Sequence, residues 1–303
     1  MAYEDFLAEF AATQGVGTKE DLLSKHAERY SFQINSRERA KKLIELLGER
    51  AGIGPSGLRI LDIGCAYGSF TIEFAKRGAD VVGVDVSDKW LRLAGANARN
   101  EVEATFVKCD ASTRKAIEIL SKSGPFDLFI VNDVFEHIYD TVGLIKNIRA
   151  MSSDRSKTYF KVPNGQATRH VLQEGHKKIF GISMLAPDYW TEFVSAPFQI
   201  YYRRWEHYES IIKSMGFDEI EIFNEVTDPS LEATRRFITN DLTRIRAQLK
   251  PDNFENPKQF SYLRTAYGYY EDEALDDLKN LGWEALFFKY RVTFWEGMFT
   301  RTA

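Results

Sequence analysis

Cysteine is nearly missing: 303 residues contain two, Cys65 and Cys109. They fall at the ends of two different expected strands, so no disulfide framework is expected and a reducing, cytoplasmic compartment is. Long apolar runs are missing too. No stretch approaches the roughly 18 residues that span a bilayer, so no membrane span is expected. The opening MAYEDFLAEF is acidic where a secretory leader would be basic. Nor does charge of one sign dominate. The chain has 40 Lys and Arg against 44 Asp and Glu, a formal net charge of −4. That excludes a binder gripping nucleic acid through bulk positive charge, and no nucleic-acid partner is expected. What is present is 44% hydrophobic residues with 14% aromatics, an ordinary globular composition that fills one large core.

Across residues 58–162, short apolar runs alternate with stretches of helical period, the pattern of a parallel sheet wrapped by helices. The expected strands are 58–63, 80–86, 104–109, 126–131 and 157–162. Most lack polar alternation, as strands buried on both faces should. Helices are expected at 69–77, 88–98, 112–120 and 140–150. Upstream, 20–50 reads as amphipathic helix, and residues 30–39 either pack on the sheet or fold over a ligand at the strand ends. Downstream, 164–204 is irregular and aromatic, with Phe180, Tyr189, Trp190, Tyr201 and Tyr202. Further strands are expected at 216–223 and 286–295, separated by a polar helical region interrupted at Pro251 and Pro257.

The stretch LDIGCAYGSFTIEFAKRGADVVGVDVS runs strand, glycine turn, helix, strand. A nucleotide-like ligand needs a tight turn, a nearby helix N-terminus and a carboxylate about 20 residues on for ribose hydroxyls. Gly64 and Gly68 supply the turn, and Asp85 the carboxylate. A dinucleotide fingerprint needs glycines at i, i+2 and i+5, where this chain has Gly64, Ala66 and Ser69, so nicotinamide is disfavoured.

The spacing resembles instead the first motif of class I S-adenosylmethionine (SAM) dependent methyltransferases, acidic-x-Gly-x-Gly-x-Gly. Asp62, Gly64, Ala66 and Gly68 stand in its four places, and Ala66 departs from the middle glycine. The resemblance runs closely over 59–164 and loosely over 205–223. It implies SAM as cofactor and S-adenosyl-L-homocysteine as product. Asp62, Gly64, Cys65, Ala66 and Gly68 would form the turn at the methionine end, Asp85 and Val86 would hold the ribose, and Asp110 and Ala111 the adenine. Asn132 and Asp133 would lie in the fourth motif, FDLFIVNDVFEHI. The fold implied is α/β, a Rossmann-like, mainly parallel seven-stranded sheet with the last strand antiparallel. A helical segment, 1–57, would precede a methyltransferase domain, 58–303, with cap inserts at 164–204 and 224–285.

The sulfonium already carries its leaving group, so such a site supplies aim and a proton acceptor. His137, at the carboxyl edge after the fourth strand, has the ordinary pKa for a base near neutrality, with Glu136 beside it. His176 and His207 are further candidates from the aromatic segment and its border. Asp133, Glu136 and His137 also resemble the metal cluster of small-RNA methyltransferases, but with Asp where that family has Glu and no motif supplying a second histidine, so no metal is assigned. Lys177, Lys178, Arg203 and Arg204 form either a cationic rim for the acceptor or a solvated mixed surface with Glu174, Asp188, Glu192 and Glu206. The expected activity is methyl transfer to oxygen on a small-molecule or glycan acceptor. The alternatives are transfer to nitrogen, a metal-assisted reaction, or a non-catalytic SAM-binding module; nothing in the sequence fixes the oligomeric state.

Overall fold

A computed structural model describes residues 2–195, 197–226 and 230–301. Four helices precede the sheet: α1 (Ala2–Gln14), α2 (Lys19–Ser24), α3 (Ser31–Ile34) and α4 (Ser36–Ala51). Strands and helices then alternate as β1 (Arg59–Ile63), α5 (Ser69–Ala75), β2 (Asp80–Asp85), α6 (Asp88–Ala98), β3 (Thr105–Lys108), α7 (Arg114–Leu120), β4 (Phe126–Asn132), α8 (Thr141–Met151) and β5 (Ser152–Pro163). Side-chain caps fix where helices begin. Ser87 Oγ accepts from Trp90 N at the start of α6, and Asp140 Oδ1 from Gly143 N, 2.7 Å, at the start of α8. After β5 come α9 (Thr168–Leu172), α10 (Trp205–Ser214), β6 (Glu219–Ile222), α11 (Leu231–Gln248), α12 (Pro257–Asn280), α13 (Trp283–Leu286) and β7 (Phe294–Thr300).

The strands form one seven-stranded sheet in the order β3-β2-β1-β4-β5-β7-β6. All neighbours are parallel except β7, which runs antiparallel to both β5 and β6. This is the mainly parallel α/β architecture expected from the alternation of apolar runs. The core has two faces. Leu61, Val82, Phe129 and Phe160 pack with α7, α8 and α10, whereas Ile60, Leu128, Ile130 and Tyr159 pack against Leu43, Ile44 and Leu47 of α4 and Phe74 of α5.

Two expected strands moved. The run LFFKYR, read from sequence as the start of the last strand, coils into α13 and one wide helical turn, and β7 begins only at Phe294. Leu286 and Tyr290, four residues apart, both face a helical cluster with Val171, Ile238, Leu242, Tyr267 and Tyr270, so the apolar residues serve a helix face rather than the sheet. The strand expected at 216–223 forms only over Glu219–Ile222. No described helix is long and apolar enough to cross a membrane.

The N-terminal helices sit over the carboxyl edge of β1 and β2. Phe6 and Phe10 of α1 pack with Tyr30, Tyr67 and Leu93, and a buried ion-pair network anchors the start of α4. Arg37 Nη1 bonds Glu73 Oε1 of α5 at 2.9 Å and Glu101 Oε2 at 3.2 Å, while Nη2 bonds the Asn97 carbonyl of α6 at 2.6 Å. Arg37 and Glu73 side chains are 8% and 5% exposed, so removing one partner leaves the other buried and unmatched. Arg37→Met is expected to cost about 3 kcal/mol in urea unfolding, the lower part of the range for broken buried pairs because Arg77 also holds Glu73. A loss below about 1 kcal/mol would show that the network contributes little.

Candidate active site

The site begins at the turn after β1. Gly64 sits at φ +69° and Gly68 at φ +74°; a Cβ at Gly64 would come 2.6 Å from Val134 Cγ2, and one at Gly68 2.7 Å from the Phe106 ring. Only glycine fits either place. Ala66 adopts a positive φ of +46° as well, held by its amide donating to Asp85 Oδ2 at 3.0 Å. Beneath the turn, Asp62 Oδ2 accepts from Thr71 N (3.0 Å) and Thr71 Oγ1 (2.6 Å), clamping the first turn of α5 to β1. Burial pushes the Asp62 carboxyl up to about 7, against the lowering effect of the Thr71 bonds. Burial also pushes the Cys65 thiol up, so Cys65 is a packing residue of the turn, not a nucleophile.

Asp85 ends β2. Besides Ala66 N, its carboxylate accepts from Ser87 N at 2.8 Å, so each oxygen takes one backbone bond and keeps acceptor capacity toward the crevice. Beside it lies a pocket of about 340 Å³ lined by Val86, Cys109, Asp110, Thr113 and Ile119. Val86 is 62% exposed there, and Ala111 is buried. Asp110 Oδ1 turns back to Ser112 N at 3.0 Å and Oγ at 2.7 Å, which fixes the loop after β3.

On the other side of the turn, β4 ends at Asn132, whose Nδ2 donates to Asp133 Oδ2 at 2.9 Å. Asp133 stands at φ +55°. Its Oδ2 is paired with Arg39 of α4 at 3.1 Å, whereas Oδ1 is buried without a partner. The Arg39 guanidinium lies over the Phe32 ring, 3.5 Å from its centroid. Arg39 thus brings the start of α4 to the end of β4, while the rest of α4 packs on the sheet. Arg39 itself carried no sequence signal, because its partner lies 94 residues away.

The expected catalytic residues converge in part. Glu136 is 1% exposed and neither carboxylate oxygen has a partner among the described residues; burial, with the Asp133 charge adding to it, pushes its carboxyl well up. His137 Nδ1 lies 3.3 Å from the Gln199 carbonyl, which fixes Nδ1 as the donor and leaves the Nε2 lone pair free, 3.9 Å from Glu136 Oε1. Burial holds the His137 pKa below its ordinary value, and the neighbouring His176 acts the same way. The His137 and His176 rings meet edge to face at 5.4 Å. His176 Nδ1 is 3.3 Å from Tyr202 Oη and 3.6 Å from Glu174 Oε2. Glu174 is buried, yet bonds from His176 and the backbone of residues 176 and 177 outweigh burial and hold its carboxyl down to about 2.

Other expectations fail. His207 is not brought to this cluster: its Nε2 lies 2.9 Å from Thr141 Oγ1 at the start of α8. Two of the four cations weighed as a rim or as a mixed surface, Arg203 and Arg204, line a pocket of about 460 Å³ together with Glu273. Arg203 donates to the Phe135, Ile138 and Tyr139 carbonyls, and Arg204 pairs with Glu273 of α12, so both lock the strap of residues 199–204 in place. Within that strap, Tyr202 turns toward His170, His176 and Glu174, while Tyr201 turns away toward Trp190 and Tyr139. Asp133 is engaged by Arg39, so the group that could hold a metal ion is Glu136, His137 and His176, whose ligand atoms all lie within 4.8 Å of one another. Sequence reading had taken Asp133 for the first of the three.

A family model described as a methyltransferase domain matches residues 32–220. The chain belongs to this methyltransferase family. Curated relatives of the methyltransferase include ubiquinone biosynthesis O-methyltransferases of Acinetobacter baylyi, 27% identical over 118 residues (39% of this chain, 48% of the relative), and Coxiella burnetii, 32% identical over 109 residues (36% and 44%). The chain thus matches less than half the length of these relatives. Similar solved structures include a SAM-dependent methyltransferase from Archaeoglobus fulgidus (TM-score 0.47, 16% identity, 90% of this chain and 100% of that one). Another is a phosphoethanolamine N-methyltransferase from Haemonchus contortus (TM-score 0.46, 20% identity, 87% and 53%).

These groups fit SAM, the cofactor of the class. The glycine turn admits close backbone approach, Asp85 retains acceptor capacity that two ribose hydroxyls would use, and Asp133 Oδ1 has no partner among the described residues. Asp85→Ala removes charge-assisted bonds worth about 1.5–3 kcal/mol, so calorimetry should show SAM binding weakened by roughly ten- to a hundredfold; unchanged affinity would refute the assignment. A second test uses Asp62. Its folded pKa is above the 3.8 of the free group, so it binds a proton more tightly folded than unfolded, and its contribution to stability is full below about pH 4 and lost as pH rises toward 7. Asp62→Asn should remove that downward slope; identical pH–stability curves for both proteins would contradict it.

Proposed function

We propose that this methyltransferase transfers the SAM methyl to a hydroxyl of a small-molecule or glycan acceptor, with His137 as general base. The observation that carries the reading is the fixed tautomer of His137: Nδ1 is engaged by the Gln199 carbonyl, leaving Nε2 open beside Glu136. When bound, SAM supplies an electrophilic methyl whose sulfur departs neutral, so the enzyme need only aim the acceptor and take its proton. With its pKa held down, His137 is neutral at pH 7 and ready to accept at Nε2. The Gln199 carbonyl steadies the imidazolium that forms, and His176, held by Tyr202 and Glu174, walls the same space. The curated relatives named above are O-methyltransferases, which supports oxygen as the target atom. The segment 164–204 and the helices of 224–285 would form the cap over the acceptor, with the chain from residue 58 onward as the catalytic domain and the preceding helices as its cover.

A second reading rests on the closeness of Glu136, His137 and His176. Both histidines have Nδ1 facing a protein partner, as metal-binding imidazoles usually do, and Glu136 has two unpartnered oxygens. A hard divalent cation there would lower the acceptor's hydroxyl pKa rather than leave deprotonation to His137.

His137→Gln keeps most of the volume but cannot take a proton, so kcat should fall by about a hundred- to ten-thousandfold with SAM affinity intact. In the unaltered enzyme, kcat/KM should rise with pH through a value below the free imidazole's 6.5 and level off by neutrality. A Gln variant keeping more than about a tenth of the activity would remove His137 from the role. Activity lost on dialysis against a chelator and restored by a divalent metal would decide for the second reading.

A further inference from the structure

Arg169, Arg291 and Lys161 converge on a pocket of about 410 Å³ where α9, α11 and the turn before β7 meet the edge of β5. Among the described residues, neither arginine has a carboxylate within 4.0 Å, whereas Lys161 has Glu296 at 3.8 Å. The two guanidiniums lie against the same ring, Phe237, at 5.5 Å and 4.7 Å from its centroid, and Arg291 also rests on Phe287 at 5.3 Å. The rings attract the guanidinium charges but offer their N–H groups no hydrogen-bond acceptor. Arg291 Nη1 is buried with no hydrogen-bond partner among the described residues, a charged donor withdrawn from water without an acceptor there. The pocket's own carboxylates are engaged: Glu225 pairs with Arg50, and Glu296 accepts from Tyr159 Oη at 2.6 Å with Lys161 Nζ 3.8 Å away.

Two arginines on one ring repel each other, and a third cation faces the same space. An oxyanion is what such a site lacks, and the fork geometry of guanidinium suits one with several oxygens. With Glu225 paired to Arg50 and Lys161 shared with Glu296, the charge left for a ligand is that of the two arginines, which matches a dianion. We propose that this pocket binds a phosphate-type oxyanion, and that the group belongs to the methyl acceptor. Its place in the fold supports the second part. Lys161 pairs in register with Asn132, one strand spacing of about 4.8 Å away, and its carbonyl accepts from Asp133 N at 2.9 Å. Tyr159, which bonds Glu296, also reaches Asn132 Oδ1 at 3.3 Å. The anion would therefore dock beside the crevice where the methyl donor is expected and anchor a small molecule whose far end reaches His137. The acceptor assignment rests on the methyl-transfer reading; oxyanion binding does not.

The test uses the intact protein without SAM, titrated at low ionic strength with inorganic phosphate, sodium acetate, glucose and glucose 6-phosphate by calorimetry and phosphorus NMR. Phosphate and glucose 6-phosphate should bind saturably with dissociation constants on the order of 1 mM, acetate at least about tenfold more weakly and glucose not at all. Arg169→Gln, on an exposed part of α9, and Lys161→Gln should each weaken phosphate binding about fivefold or more while leaving SAM affinity and melting temperature unchanged. Arg291→Gln should abolish it. No saturable phosphate binding up to about 50 mM, or equal affinity in the Arg169 and Lys161 variants, would overturn the site; acetate binding as tightly as phosphate would overturn the dianion assignment. If phosphate binds as expected but S-adenosylhomocysteine displaces it, the anion occupies the cofactor's place and is not carried by the acceptor. Failure of the unaltered protein to bind SAM would instead refute the methyl-transfer reading and leave the oxyanion site standing.

Discussion

Between β1 and β4 the order of the sheet reverses, with β2 and β3 laid on one side and β5 on the other. The loops leaving β1 and β4 must therefore part, and their carboxyl ends open a crevice that no neighbouring crossover fills. Along that edge lie the glycine turn after β1, Asp85 after β2, Asp110 after β3, Asp133 to His137 after β4 and Lys161 near the end of β5. The helices α4 and α5 hold one face and α7, α8 and α10 the other. The edge is thus supported by two packed layers, with the N-terminal helices and the strap of residues 199–204 lying over it.

Some of the chain's local disagreement with ordinary stability rules falls at the same place. Ala66 and Asp133 stand at positive φ, a conformation that costs an L-residue about 1–2 kcal/mol. Glu136 is buried with both oxygens unpartnered, and one oxygen of Asp133 is too. Such groups persist only when their surroundings over-determine them, and they concentrate where a ligand completes the bonding. The clamp of Asp62 on Thr71 and of Asp85 on the amides of Ala66 and Ser87 supplies that rigidity from below. Arg203, tied to three carbonyls of the β4 loop, supplies it from above.

The parallel strands and the glycine turn were legible in the sequence because each depends on residues close in the chain: an apolar run, a small residue where a Cβ would collide, a carboxylate at the next strand's end. The last strand was misplaced because Leu286 to Tyr290 is apolar with a spacing that a helix and a buried strand can both use, and only packing against Tyr267 and Tyr270 decides between them. His176 was recognisable as a candidate, but its partnership with His137 required the strap of residues 199–204 to fold back over the β4 loop. Arg39, Arg169 and Arg291 were invisible as site residues, since what marks them is the company they keep across 94 residues or more of chain, or the carboxylate they lack.

A crystal structure of the protein with S-adenosylhomocysteine tests the central claim most directly, since it locates the crevice ligand without needing the acceptor. Both ribose hydroxyls are expected within about 3.2 Å of the Asp85 carboxylate, the adenine against Val86 and Asp110, and the sulfur facing Glu136 and His137. Density for the ligand elsewhere, or with its sulfur turned away from His137, would contradict the assignment of this edge as a methyl-transfer site.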